Sequence, residues 1–118
     1  MPDDSSAEKP IHWMGSSFED LLVFPREAKR QAGYQLSRIQ GGIDPTDWKP
    51  FPQVGAGVRE IRIREEGNAY RVMYVAKFEE AIYVLHCFEK KTQATSKRDK
   101  QVATDRYKTL IEERREQS

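Results

Sequence analysis

Glu60, Arg62 and Arg64 stand at alternate positions in one apolar-rich run of this chain, and Arg71 stands in the next. Alternate side chains share a face of a β-strand, so these groups converge if the two runs pair in register. Lys90 and Lys91 end a third run and extend the basic cluster. Arginine presents a planar fork of donors that fits phosphate, and such forks stabilise charge growing on phosphoryl oxygens. The chemistry suggested is the binding and orientation of a phosphorylated polymer. Glu60 and His86 are the nearby groups suited to proton transfer, because a carboxyl or imidazole shifted towards neutrality can act as acid or base. No phosphate loop and no serine–histidine–carboxylate spacing is present. The single cysteine, Cys87, lies inside an apolar run and reads as a buried thiol, and no metal-ligand spacing occurs.

Three runs must position these groups. Val58–Arg64, Ala69–Ala76 and Ala81–Phe88 are rich in Ile, Val, Tyr and Phe, as strands are. Glu65-Glu66-Gly67-Asn68 supplies turn chemistry between the first two, and Lys77–Glu80 separates the second and third. Connections this short make the neighbours antiparallel, a three-stranded meander. Period-two sorting puts Ile61, Ile63, Tyr70, Val72 and Tyr74 on one face. Glu60, Arg62, Arg64 and Arg71 fall on the other. In the third run Ile82, Val84, His86 and Phe88 alternate with Tyr83, Leu85 and Cys87.

Helical signals flank the meander. Ser16 and Glu19 have capping-box spacing ahead of a short helix over about Phe18–Phe24. Pro25 suits the start of a second helix reaching Gln40, with Ala28, Ala32, Leu36 and Ile39 as its apolar stripe and Gly41-Gly42 as its stop. Ile43–Ala56 carries Pro45, Pro50 and Pro52, which exclude helix and central strand, so a loop pinned by Trp48 and Phe51 is expected. A third helix should run from about Lys97–Asp99 to Arg115, with Ala103, Tyr107, Leu110 and Ile111 on its stripe. Pro10–Met14 reads as an extra N-terminal strand, and 1–9 as a poorly ordered acidic tail before one domain over 10–118. The expected fold is α+β: an antiparallel sheet of meander plus N-terminal strand. Two N-terminal helices and a C-terminal helix lie on one face, and the arginine face stays open.

Charged residues make up 33% of the 118 residues for a net charge of only +1, but the first twenty positions hold five acidic residues against Lys9 alone. The remainder is moderately basic, which suits a polyanionic partner. No membrane span and no signal-peptide core appears, and lone-cysteine usage fits a reducing cytoplasm.

The ordered set E-x-R (Glu60, Arg62), Y-R-V-x-Y (Tyr70, Arg71, Val72, Tyr74) and L-H-x-F-x-K-K-T-Q (Leu85, His86, Phe88, Lys90, Lys91, Thr92, Gln93) resembles the RelE superfamily of toxins, nearest its phage-derived, HigB-like branch. The resemblance spans roughly residues 10–115. It implies a RelE-like fold and a cytoplasmic, ribosome-dependent mRNA endoribonuclease that inhibits translation without metal or cofactor. It also implies two partners, a cognate helix-turn-helix antitoxin and a ribosome carrying mRNA. Metal-free RNA cleavage must align and deprotonate a 2′-OH, stabilise phosphoryl charge and protonate the leaving 5′-oxygen. On that scheme Arg71 clamps the scissile phosphate with Arg62 beside it. Lys91 assists on phosphate or leaving oxygen, Glu60 and His86 supply acid–base function, and Arg64, Lys90 and Phe88 hold RNA. Some relatives use a tyrosine near the C-terminus; Tyr107 falls on the apolar helix stripe and does not inherit that role. The alternative reading is a non-catalytic RNA-binding or protein-interaction module of phage origin.

Overall fold

A computed structural model describes residues 8–117. The elements follow in the order β1 (Ile11–Trp13), α1 (Ser17–Leu22), α2 (Arg26–Gln40), β2 (Trp48–Pro50), β3 (Val58–Glu65), β4 (Asn68–Val75), β5 (Ile82–Lys90) and α3 (Lys97–Gln117). They form a mixed five-stranded sheet of order β1-β5-β4-β3-β2 with three helices, an α+β fold. The expected meander is its centre. Its first turn closes on Glu66 (φ 51°) and Gly67 (φ 81°), consecutive left-handed residues whose twist matches that of the flanking strands.

Two edges differ from expectation. β1 pairs with β5 in parallel, Ile11 opposite Ile82, so the sheet is mixed rather than antiparallel. Helices α1 and α2 lie between β1 and the rest of the sheet in sequence, and such a crossover is what allows parallel pairing. The proline-rich segment is not all loop: Trp48–Pro50 pairs with β3 as a short edge strand, the one place where a proline's missing N–H is harmless.

The larger correction concerns the two sheet faces. α1 and α2 cover one face, where Leu21, Phe24, Ala28, Ala32, Leu36 and Ile39 meet Ile61, Ile63, Val72, Tyr74, Val84 and Cys87. The other face is not open throughout. α3 packs there through Ala103 and Leu110, against Met73, Val75, Tyr83 and Leu85, with Phe51 and Val54 from the β2–β3 segment. Met73 and Val75 share the arginine alternation of β4, and apolar groups of that size are covered rather than left in water.

The helix ends show which local signals were used. α2 stops at Gly41, and Gly42 takes φ 84°. Ser16 precedes α1 but makes no side-chain cap; its hydroxyl donates to Asp20 instead. Ser96 caps α3, accepting from the Asp99 N–H at 3.0 Å while donating to the Asp99 carboxylate. Of the expected N-terminal tail, residues 1–7 lie outside the described residues. Lys9, at its end, donates to the carbonyls of Ala76 and Phe78 at 2.7 and 2.6 Å.

Candidate active site

The β3–β4 register sets Arg62 directly opposite Arg71, and Arg64 opposite Ala69. Residues paired in this way project from the same face. The β4–β5 register continues the rows: Phe88 stands opposite Arg71, and Lys90 opposite Ala69. Lys49 of β2 stands opposite Glu60. The half of this face beyond Met73 therefore gathers Lys49, Arg62, Arg64, Arg71 and Lys90 around one carboxylate, Glu60.

Glu60 is fully buried (0% exposed), and Arg71 nearly so (6%). Arg71 Nε lies 3.5 Å from Glu60 Oε1, and Lys49 Nζ lies 3.9 Å from the same oxygen. Neither Arg71 Nε nor Glu60 Oε1 completes a hydrogen bond, so the contact is an ion pair without a closed bond. Arg71 Nη1 donates to its neighbour's carbonyl, Tyr70 O, at 3.1 Å. Thr95, from the β5–α3 connection, donates to Glu60 Oε2 at 3.5 Å. Burial pushes the Glu60 carboxyl up despite Arg71 and Lys49 beside it, and burial pulls Arg71 down against the pull of Glu60. Lys90 is also lowered, by burial first and then by the charges of Arg71 and Lys49.

The outer cations are accessible. The Arg62 side chain is 40% exposed and donates through Nε to Asp47 at 3.0 Å. Arg64 is exposed. Lys90 belongs to β5 on the cluster's side, whereas Lys91 follows the strand end and is exposed on the opposite alternation. Of the two lysines expected here, Lys90 rather than Lys91 stands in the strand beside Arg71.

Two expected site residues are committed elsewhere. His86 Nε2 sits 2.7 Å from Asp99 of α3, and its ring stacks on Phe88 with centroids 4.8 Å apart. Burial holds His86 below the ordinary imidazole range, although Asp99 pulls the other way. Phe88 is itself buried, in the core under α3, and offers no free ring for base stacking. A bulge puts both His86 and Phe88 on the face that α3 covers. Met73 pairs with His86 but Tyr74 pairs with Val84, so β5 gains a residue and its phase slips. Tyr83 and Leu85 consequently share the α3 face with Phe88, which strict alternation forbids.

The other aromatic and thiol candidates have structural roles. Phe51 is buried, and the Arg59 guanidinium covers the Trp48 ring at 4.1 Å. The Tyr107 hydroxyl donates to Ala56 O at 2.9 Å, and its ring fills the space a Cβ at Gly55 would need. Cys87 is buried, which pushes its thiol far up and leaves it unreactive. Sequence reasoning missed Lys49 and Thr95. A lysine in a proline-rich segment and a threonine in a polar linker carry no periodic signal.

The sequence over residues 19–108 matches the family described as phage-derived protein Gp49-like (DUF891). The chain belongs to the Gp49-like family. That match takes in most of α1, all of α2, the meander and the first half of α3, so the basic half-face lies within the part that defines Gp49-like proteins. No curated protein matches the chain. Among the described residues no cluster of histidine, cysteine, aspartate or glutamate could hold a metal ion, and no helix is long and apolar enough to cross a membrane.

Proposed function

We propose that this Gp49-like protein is the toxin of a type II toxin–antitoxin pair: a RelE-type, HigB-like endoribonuclease that cleaves mRNA on the ribosome without metal. The observation that carries this reading is the in-register Arg62–Arg71 pair beside Lys90, on the part of the sheet face that gathers cations rather than the Met73–Val75 core. The RelE-like motifs and the phage-derived family support it.

Arg71 orients the scissile phosphate and stabilises charge on its oxygens. A preorganised donor in a partly dry site commonly contributes about 3 kcal/mol to the transition state. Arg62 joins it by leaving Asp47, an exposed partner whose attraction is weak in water. Arg64 and Lys49 hold the flanking phosphates. Lys90, its pKa lowered by burial and neighbouring cations, takes the role expected of Lys91 and protonates the leaving oxygen. The ribosome aligns the 2′-OH with the phosphorus: the 2′-oxygen bonds to phosphorus and gives its proton to solvent as the bond to the 5′-oxygen breaks and Lys90 protonates that oxygen. The cytoplasm is the compartment this substrate requires. A helix-turn-helix antitoxin is the expected neutralising partner.

Induced expression should arrest growth, with mRNA cut inside translated codons and rescue by the adjacent gene product. Arg71→Ala should abolish toxicity in a protein that still folds. Harmless wild type, or a toxic Arg71→Ala variant, rejects the reading. RNA binding without cleavage would instead support the non-catalytic module.

A further inference from the structure

We infer that Glu60 is a positioning residue, not the acid or base of the reaction: its buried carboxylate, held by Thr95, fixes the Arg71 guanidinium for the scissile phosphate. This rests on the ribonuclease reading above.

A group with no exposed surface cannot meet a 2′-OH or a leaving oxygen, and Glu60 has none. What it does meet is Arg71 Nε at 3.5 Å, Lys49 Nζ at 3.9 Å and Thr95 Oγ1 at 3.5 Å. Those three come from β4, β2 and the β5–α3 connection. One carboxylate therefore ties the clamp to two other parts of the half-face. Placing a charge in a dry interior is unfavourable unless it is paired, so Glu60 holds its cations strongly and they hold it. The open hydrogen bond between Glu60 Oε1 and Arg71 Nε leaves the fork restrained in direction yet unsaturated. Nε is buried against Glu60, so an entering phosphate meets the fork through its Nη groups, and the Nε contact to Glu60 can tighten as substrate arrives. Thr95 has a second consequence. It lies between Lys91 and Ser96, the cap of α3, so the same carboxylate fixes the segment that leads out of Lys90.

The groups facing Glu60 are Lys49, Arg71, Lys90 and Thr95. When Glu60 takes a proton, the restraint on Arg71 is lost while the exposed cations stay. Cleavage by wild type should therefore fall on the acid side through kcat, with KM for programmed ribosomes unchanged.

The test uses full-length protein, ribosomes programmed with a defined mRNA, and ¹⁵N NMR of the Arg71 Nε–H. Glu60→Gln should lower kcat about a hundredfold, the scale expected of a misaligned reacting group, with KM held and the acid limb gone. Glu60→Asp should recover part of the rate. Thr95→Val should cost about tenfold, and it serves if Glu60→Gln does not fold. The Nε–H signal, slowly exchanging in wild type, should be lost in Glu60→Gln. Wild-type kcat in folded Glu60→Gln or Thr95→Val, or an unchanged Nε–H signal in folded Glu60→Gln, overturns the inference. If wild type cleaves no mRNA, the ribonuclease reading fails, while the NMR comparison still decides whether Glu60 fixes Arg71.

Discussion

The two faces of this sheet are made of the same strands and do different work. One face is apolar along the meander and is closed by α1 and α2. The other is divided near Met73: towards Val75 it is a second core under α3, and towards Arg71 it is a buried ion pair ringed by cations. Adjacent residues on β4 show the contrast. Val72 is fully buried among hydrocarbons, whereas Arg71 is nearly as buried beside a carboxylate. Burial alone therefore does not separate packing from function here. The separation lies in what each buried group is paired with, because an apolar side chain gains from leaving water and a charged one must be compensated.

That contrast predicts opposite effects from neighbouring substitutions. Arg71→Gln should reduce cleavage by about 10²–10³-fold, as loss of a preorganised donor does, measured by mapped mRNA cuts. Ile61→Ala, one residue from Glu60 but on the other face, should cost about 2–5 kcal/mol in denaturant unfolding. Its cleavage per folded molecule should stay unchanged. If Ile61→Ala lowered specific activity as much as Arg71→Gln, the division of faces would be wrong.

The fold was legible where the signal was periodic or chemical. Alternation located the meander, the Ala28–Ile39 stripe located α2, and Gly41-Gly42 located its end. That Arg62 and Arg71 share a face followed from the same alternation; that they pair directly is set by the register of the β3–β4 turn. What escaped had physical causes. β1 was read as a strand but not as a parallel one, and β2 was not read at all: each has three residues, too few for a period to show, and their direction is decided by the sheet they join. The bulge between His86 and Val84 shifts the phase of β5 without altering composition, so His86 and Phe88 part from Ile82 and Val84 and fall on the arginine face, where Phe88 packs with α3 and His86 meets Asp99. The place of α3 was in principle readable, since Met73 and Val75 on the arginine face required cover. The burial of Glu60 was not, because a carboxylate at that spacing reads equally as a surface partner.

Two smaller effects sharpen the comparison through pH. His86 has its pKa lowered in the folded protein, so the neutral ring is favoured there. Its contribution to stability is present above the unfolded value, about 6.5, and is lost as pH falls through the folded value. The melting temperature should drop on that acid limb, and His86→Gln should flatten it. Glu60 has the opposite sign. Its raised pKa favours the protonated form in the fold, so its contribution is present at low pH and is lost as pH rises through the folded value. Glu60→Gln should gain stability relative to wild type as pH rises, and a relative loss would contradict the assigned shift.

The smallest effect expected is at the α3 cap. Ser96→Ala removes the acceptor for the Asp99 N–H and should cost about 1 kcal/mol, seen as faster amide exchange in the first turn of α3.

The central claim is that the cation-ringed half-face cuts mRNA through Arg71. Its most direct test is to add purified protein to translating ribosomes, map the new 5′ ends on a defined mRNA, and repeat with folded Arg71→Gln. Cuts within codons from wild type, and none above background from the variant, are the predicted result. Intact mRNA with wild type, or the same cuts from both proteins, would contradict the account.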